Sequence, residues 1–351
     1  MNISLLKLQS SVIKSIRTFF DERGYVEMHT PRLVGLPGQE PYLEPFWTNV
    51  ITPNGTVQNN NSTIQQFNNS LSQYPAALIT SPEYSMKRLL ASGMDKIYDL
   101  GPCFRNEEPW DGTHDPEFLM LEWYRKNGNL KSLMDEVEEL IEDVGRSTVG
   151  RREELPSYRP TVLPSPISRI TCEQAWREYI GVDLGSFIGD REAMAKLIVE
   201  RGQTVSESDT WDDLYFKIFL SEIEPELAKK GCFLYRYPIS MAALARPCAD
   251  DPRFAERVEL YLGEVELANG FHELADANIQ RERFIEEQEL RRSLGKKVWP
   301  LDEKFLSDLP YMGDAVGIAF GVDRLVMLLA GAQSINDVIP FSARERFASG
   351  E

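Results

Sequence analysis

The sequence has 351 residues, a length that at roughly 150 residues per domain suggests about two domains. Its 42% hydrophobic and 26% charged composition is ordinary globular usage and excludes wholesale disorder. A net charge of −17 excludes a generally basic nucleic-acid surface, which needs cations to displace phosphate counterions, though not a local basic patch. No window approaches the ~20 apolar residues of a membrane helix. The N-terminal apolar residues are interrupted by Lys7, Gln9 and Lys14, so the segment does not read as a signal peptide. Cys103, Cys172, Cys232 and Cys248 lie far apart with no CxxC pair, which fits reduced thiols in the cytoplasm better than a disulfide framework or a zinc site. Asn-x-Ser/Thr matches such as Asn54-Gly55-Thr56 are then accidental.

In chain order, Leu5, Leu6, Leu8, Val12, Ile13, Ile16, Phe19 and Phe20 have the spacing of an amphipathic helix, about Ile3 to Arg23, stopped by Gly24. An extended stretch from Tyr25 to Thr30 ends at Pro31, and a Pro/Gly-rich segment runs from Leu36 to Pro45. Thr52 to Tyr74, rich in Asn, Gln, Ser and Thr, reads as an exposed mobile loop. The strand Ala77 to Thr80 leads into a helix announced by Ser81-Pro82-Glu83. Strands Ile97 to Asn106 and Glu117 to Arg125 follow, joined by the short loop Glu108 to Pro116. Leu130 to Val144 is an acidic helix and Arg151 to Pro166 a Pro-rich connector. Thr171 to Lys230 is mostly helical. Strands return at Phe233 to Pro238 and Val258 to Phe271, then come a polar helix, Ile279 to Leu294, and a last strand and helix, Val316 to Ala330. No internal repeat is visible. The order is that of an α+β fold.

Three segments concentrate chemistry. In the first, Phe104-Arg105-Asn106-Glu107-Glu108 precedes a turn and His114-Asp115-Pro116-Glu117-Phe118. Strand alternation puts Arg105 and Glu107 on one face. On the next strand Phe118, Met120, Glu122 and Tyr124 share a face, while Leu119, Leu121 and Trp123 fill a core on the other. The bland alternative is an Arg–Glu pair on a solvated face. In the second, a two-residue turn at Gly263-Glu264 would set Tyr261 opposite Glu266 and Leu262 opposite Val265. Glu259 and Glu266 then share a face, and two such carboxylates suit Mg²⁺ completed by substrate phosphates; a solvated acidic strand pair is the alternative. In the third, Gly317-Ile318-Ala319-Phe320-Gly321-Val322-Asp323-Arg324 is either a close approach of backbone to an anionic ligand or a tight strand-to-helix turn.

Together with Pro31, these segments resemble the three motifs of class II aminoacyl-tRNA synthetases. Phe20 to Pro31 resembles motif 1, the dimer-forming element of that class. Phe104 through Phe118 resembles motif 2, and Gly321-Val322-Asp323-Arg324 resembles motif 3. The runs Thr80 to Glu83, Phe118 to Tyr124 and Glu266 to Leu274 resemble the lysyl branch. Motif 1 begins near the first residue, leaving no room for the anticodon-binding barrel of lysyl-tRNA synthetases. A freestanding lysyl-type domain is similar to the elongation factor P (R)-β-lysyl ligases, and Leu119 to Arg125 and Ala319, where lysyl-tRNA synthetases have Gly, read the same way. The resemblance implies a class II catalytic domain, a mostly antiparallel sheet flanked by helices, over residues 1–351, with a mobile loop at 52–75 and a helical insertion at about 171–230.

It also implies roles. Arg105 would stabilise the α-phosphate during carboxylate attack, and Arg324 would cover an adenine stacked on Phe118 and read by Glu107. Further ATP contacts would come from Asn106, Asp115, Glu266, Leu267 and Gly321. Glu259 and Glu266 would hold Mg²⁺. For a lysine-like amino acid, Glu83 and Glu122 would take one ammonium, Glu273 and Tyr124 the other, within a pocket shared with Ser81, Pro82, Asn269 and Ala319. An added methyl at Ala319 narrows the pocket and suits a β-amino acid. A buried Glu273 without its partner costs ~3–5 kcal/mol, which selects for a cationic tail. The family departs here in two places: the loop Glu108 to Thr113 is one residue longer and lacks an Arg, and Asp115 replaces Asn. The expected activity is ATP-dependent activation of a lysine-like amino acid and its transfer to a lysine side chain of elongation factor P, by a cytoplasmic homodimer. The charge of −17 disfavours tRNA as acceptor. The alternatives are a freestanding lysyl-tRNA synthetase paralogue and a non-catalytic regulatory subunit.

Overall fold

The computed structural model describes residues 2–53, 71–148 and 165–348. Helix α1, Ile3–Glu22, starts at Asn2, whose side chain accepts the Ser4 N–H at 3.0 Å. Six of the eight apolar residues read from the spacing are buried, Leu5, Leu8, Val12, Ile16, Phe19 and Phe20, while Leu6 and Ile13 are only partly so. Eleven strands are described: β1 Val26–Met28, β2 Leu33–Val34, β3 Trp47–Pro53, β4 Leu71–Leu78, β5 Lys96–Phe104, β6 Glu117–Lys126, β7 Ser168–Thr171, β8 Cys232–Pro238, β9 Phe254–Leu262, β10 Val265–His272 and β11 Ala315–Gly321. Eight of them form a sheet in the order β1-β5-β6-β11-β10-β9-β8-β7. Only the outer pairs, β1 with β5 and β7 with β8, are parallel. The mostly antiparallel α+β reading therefore holds.

Register sorts the two faces of this sheet. Leu121, Phe320, Ala268, Leu260 and Phe233 lie opposite one another across five strands, and so do Trp123, Ile318, Gly270 and Val258 across four. Apart from Gly270, these residues form the main core with α1 and with helix α3, Leu130–Ser147. The alternate rows cannot face that core, because successive side chains point to opposite sides. One such row is Glu122, Ala319, Asn269 and Glu259; the next is Tyr124, Gly317, Phe271 and Arg257. Charged, polar, small and aromatic residues thus line the second face of the central strands, in place of the aliphatic rows of the first.

The helices Cys172–Ile180, Arg191–Glu200, Trp211–Ile218 and Glu224–Lys230 build a second core on the outer strands, with Trp176, Tyr215 and Phe219 packed against Phe254 and Tyr261. The expected mobile loop at 52–75 needs correction. Thr52 and Pro53 close strand β3, and Leu71 to Pro75 open β4, with Thr52 opposite Ser72 and Val50 opposite Tyr74. The pairing continues to the very edge of an Asn/Gln/Ser/Thr-rich stretch, so composition alone reads as loop. The rest of that loop, 54–70, and the connector at 151–164 lie outside the described residues. All four cysteines are buried and unpaired. No helix among the described residues is long and apolar enough to cross a membrane.

Candidate active site

Helix α2, Glu83–Ala91, closes one end of the polar sheet face. Its buried residues, Glu83, Met86, Lys87 and Leu90, recur at three- and four-residue steps. Ser81 precedes it, accepting the Glu83 N–H at 3.0 Å and donating to Glu122 at 2.6 Å. The Tyr124 hydroxyl donates to the other Glu122 oxygen at 3.2 Å. Burial, then the nearby Glu83 carboxylate, push Glu122 up to about 8. Glu273, just past β10, is pushed up to about 7, by burial first. A cavity of about 120 Å³ lies here, whose wall includes Ser81, Glu83, Glu122, Tyr124, Asn269 and Ala319; Glu273 stands behind that wall, beside Gly317.

Gly317 has a steric reason. A Cβ there would overlap the Tyr124 ring and the Glu273 carboxylate, so only glycine lets both lie against the strand. Gly321 is different, since a Cβ there would meet the Arg324 stem only at ordinary contact distance.

A larger cavity of about 290 Å³ adjoins the first and shares Leu43, Arg105, Met120, Asn269 and Ala319 with it. Phe118 lies on one side, with the Arg105 guanidinium 5.1 Å from its ring centre. Arg324, at the start of helix Val322–Ala330, lies on another side. It donates to the Glu266 carbonyl at 2.6 Å and the Thr113 carbonyl at 3.3 Å. Its third contact is His114 Nε2 at 3.1 Å. An arginine only donates, so this nitrogen accepts and the ring proton sits on Nδ1, facing Asp111 at 3.1 Å. Asp323 is buried and structural, accepting from Leu119 N–H at 2.7 Å and from Gln9 at 3.1 Å. Arg105 makes no side-chain hydrogen bond or ion pair among the described residues, and its Nε is buried and unpartnered. This cation stands at the junction of the two cavities.

The turn at Gly263-Glu264 forms as expected, with both residues at positive φ, 61° and 69°. Tyr261 opposes Glu266 and Leu262 opposes Val265. A bulge follows and inserts Leu267, whose side chain enters the core. Glu259 and Glu266 therefore share a face. Glu259 is buried and accepts from Tyr237 and Tyr261, with Arg257 as its ion-pair partner. Glu266 is pushed up to about 7, by burial and then by the Glu259 charge. Its carboxylate has no hydrogen bond or ion pair among the described residues. The set fits a hard dication, with Glu266 the accessible ligand and Glu259 the braced one.

Two expected ATP-site residues stand elsewhere, and a third is already occupied. Strand β5 ends at Phe104, so alternation does not carry to Glu107, which is exposed at φ 61° and lines neither cavity. Asn106 is also exposed, its N–H bonded to the Glu44 carbonyl at 2.7 Å. Asp115 lines the larger cavity but has no free oxygen. It accepts from Arg346 at 2.6 Å, Ala343 N–H at 2.7 Å and Glu117 N–H at 3.2 Å. The unexpected acid is thus matched by an Arg at the C-terminal end, and the lengthened loop is anchored there too, through the Trp110 carbonyl and Arg344. Sequence reading missed Lys87, Arg257, His114 and Arg346. For Lys87 a signal existed: it falls one turn after Glu83, on the buried face.

Comparison with known proteins places this geometry. A family model described as class II tRNA synthetases (D, K and N) matches residues 2–345. The chain belongs to that family. Among curated relatives, the elongation factor P–(R)-β-lysine ligase of Proteus mirabilis is 37% identical over 344 residues, 97% of this chain and 95% of the relative. Its namesakes from Edwardsiella ictaluri and Salmonella paratyphi B are 38% and 36% identical over 343 residues, each covering 97% of this chain and 94% of the relative. Within the class II synthetase family, then, the resemblance to these ligases runs nearly the full length of both chains.

Proposed function

We propose that the chain is an ATP-dependent ligase that activates a lysine-like diamino acid, (R)-β-lysine, as its adenylate and transfers it to a lysine side chain of elongation factor P. The observation that carries this reading is Arg105, a cation with no hydrogen bond or ion pair among the described residues, where an acid-lined cavity meets a larger one beside Phe118 and Arg324. That is where an amino-acid carboxylate would meet the α-phosphate of ATP. The names of the ligase relatives support the substrate and the acceptor.

In the first step a carboxylate oxygen bonds to the α-phosphorus, the bond to the bridging oxygen breaks, and pyrophosphate leaves. Arg105 stabilises the charge gathering on the α-phosphoryl oxygens. Phe118 and the Arg324 guanidinium hold the base between them. Glu266, with Glu259 behind it, would hold Mg²⁺, which neutralises phosphate charge when bound. Glu122, Glu273 and Tyr124 fix the two ammonium groups and so aim the carboxylate. In the second step the acceptor amine attacks the carbonyl carbon; an amide forms, AMP leaves and a proton is released. A second copy of the chain would pack at the segment around Pro31, where Val26 and Leu33 are exposed apolar residues. The test is ATP–pyrophosphate exchange with a panel of α- and β-lysine, ornithine, aspartate and asparagine. Exchange only with the diamino acids is expected. Exchange with aspartate or asparagine, or with none of the panel, would reject the assignment.

A further inference from the structure

Behind the acid-lined cavity sits a cation of the protein's own. Lys87 is 1% exposed, on the buried face of α2. Its Nζ lies 2.7 Å from Glu273 Oε2 and contacts Glu83 Oε1. Neither Lys87 nor Glu273 lines the cavity, whereas Glu83 does; Glu273 borders it through Gly317, a wall residue. The other Glu273 oxygen, Oε1, is buried without a hydrogen-bond partner and flanks Gly317 beside the Tyr124 ring. An ammonium this deep is costly to desolvate and is held only by the carboxylates it pairs with. Without it, two acids so close in a dry site would share a proton rather than both ionise.

We propose that Lys87 is a positioning residue of the amino-acid site: its ammonium pairs with Glu83 and Glu273 and fixes them, offsetting their mutual repulsion so that the pair can take a further ammonium from the substrate. The inference rests on the diamino-acid reading above. A chain with a neutral residue at position 87 would hold protons in the pocket where the substrate must bind. The other ionisable groups facing this pair are Glu40, Tyr84, Arg105, Glu122, Tyr124, His272 and Glu287.

The test measures amino-acid KM against pH, by pyrophosphate exchange, for the intact protein and for Lys87→Met and Lys87→Gln. Either neutral variant suffices, with folding checked by an ATP-induced rise in Tm. The expected result is an amino-acid KM at least about tenfold higher at pH 7, with the KM for ATP within about twofold. The pH at which amino-acid binding improves should move up by about one unit or more. Lys87→Arg, which keeps the charge, should restore the original pH profile. A neutral variant with a lowered Tm but an unmoved pH profile would show a merely structural lysine and overturn the proposal. So would a Lys87→Arg protein whose profile shifts as the neutral ones do. If the unaltered protein exchanged with no diamino acid, the site reading itself would fall, a result separable from these because it needs no variant.

Discussion

Replacing Arg105 by Ala removes a cation on which the fold depends little. The guanidinium has no ion pair among the described residues and its buried Nε has no partner, so the substitution gives up only its contact with the Phe118 ring, 5.1 Å away. Its loss falls on the reaction instead. A unit charge about 4 Å from a phosphoryl oxygen, at an effective dielectric near 20, is worth ~4 kcal/mol. Removing one stabiliser of developing charge typically costs ~10²–10³ in rate. Pyrophosphate exchange by Arg105→Ala should therefore fall by about that factor, while Tm stays level or rises slightly. Exchange within about tenfold of the unaltered protein would refute the placement of the α-phosphate beside Arg105. A large fall in Tm would refute the claim that the fold depends little on this cation.

Three further outcomes follow from the same geometry. Gly317→Ala should abolish exchange while leaving ATP binding intact, because a Cβ displaces Tyr124 and Glu273 but not Phe118 or Arg324; equilibrium binding of a fluorescent ATP analogue against exchange rate checks this. Arg346→Ala leaves the buried Asp115 without its cation, so Tm should drop by several degrees and the KM for ATP should rise; an unchanged Tm would show the pair to be incidental. Glu122 at about 8 and Glu273 at about 7 stand above the ordinary unfolded carboxyl value of ~4.3. Their contribution to ligand-free stability is present below that unfolded value and is lost as pH rises through about 7 to 8. Diamino-acid binding, which needs both ionised, should tighten from pH 6 to pH 8, and calorimetric affinities flat over that range would contradict it.

Much of this site was legible because strands write their two faces into alternate residues. Glu122 and Tyr124 against Leu121 and Trp123 sorted themselves before any coordinates, and the Gly263-Glu264 turn fixed where Tyr261 meets Glu266. Alternation failed where the strand stopped. Glu107 sits past the end of β5 in a left-handed conformation, which sequence spacing does not announce. The bulge at Leu267 was equally silent, since it needs the partner strand to be seen. The pairing of β3 with β4 was hidden because their inner ends lie in an Asn/Gln/Ser/Thr-rich stretch that composition reads as loop. Lys87 was overlooked for the opposite reason: a lysine on an apolar helix face looks like an exception, until Glu83 and Glu273 are brought around it by segments almost two hundred residues apart.

The most direct measurement is a single reaction containing the protein, ATP, (R)-β-lysine, elongation factor P and bulk tRNA, read by intact-mass and peptide mass spectrometry. The expected product is elongation factor P carrying one β-lysyl group on a lysine side chain, formed only with ATP and lost with Arg105→Ala. Amino acid recovered on tRNA with none on the protein, or no transfer of any diamino acid, would contradict the proposed function.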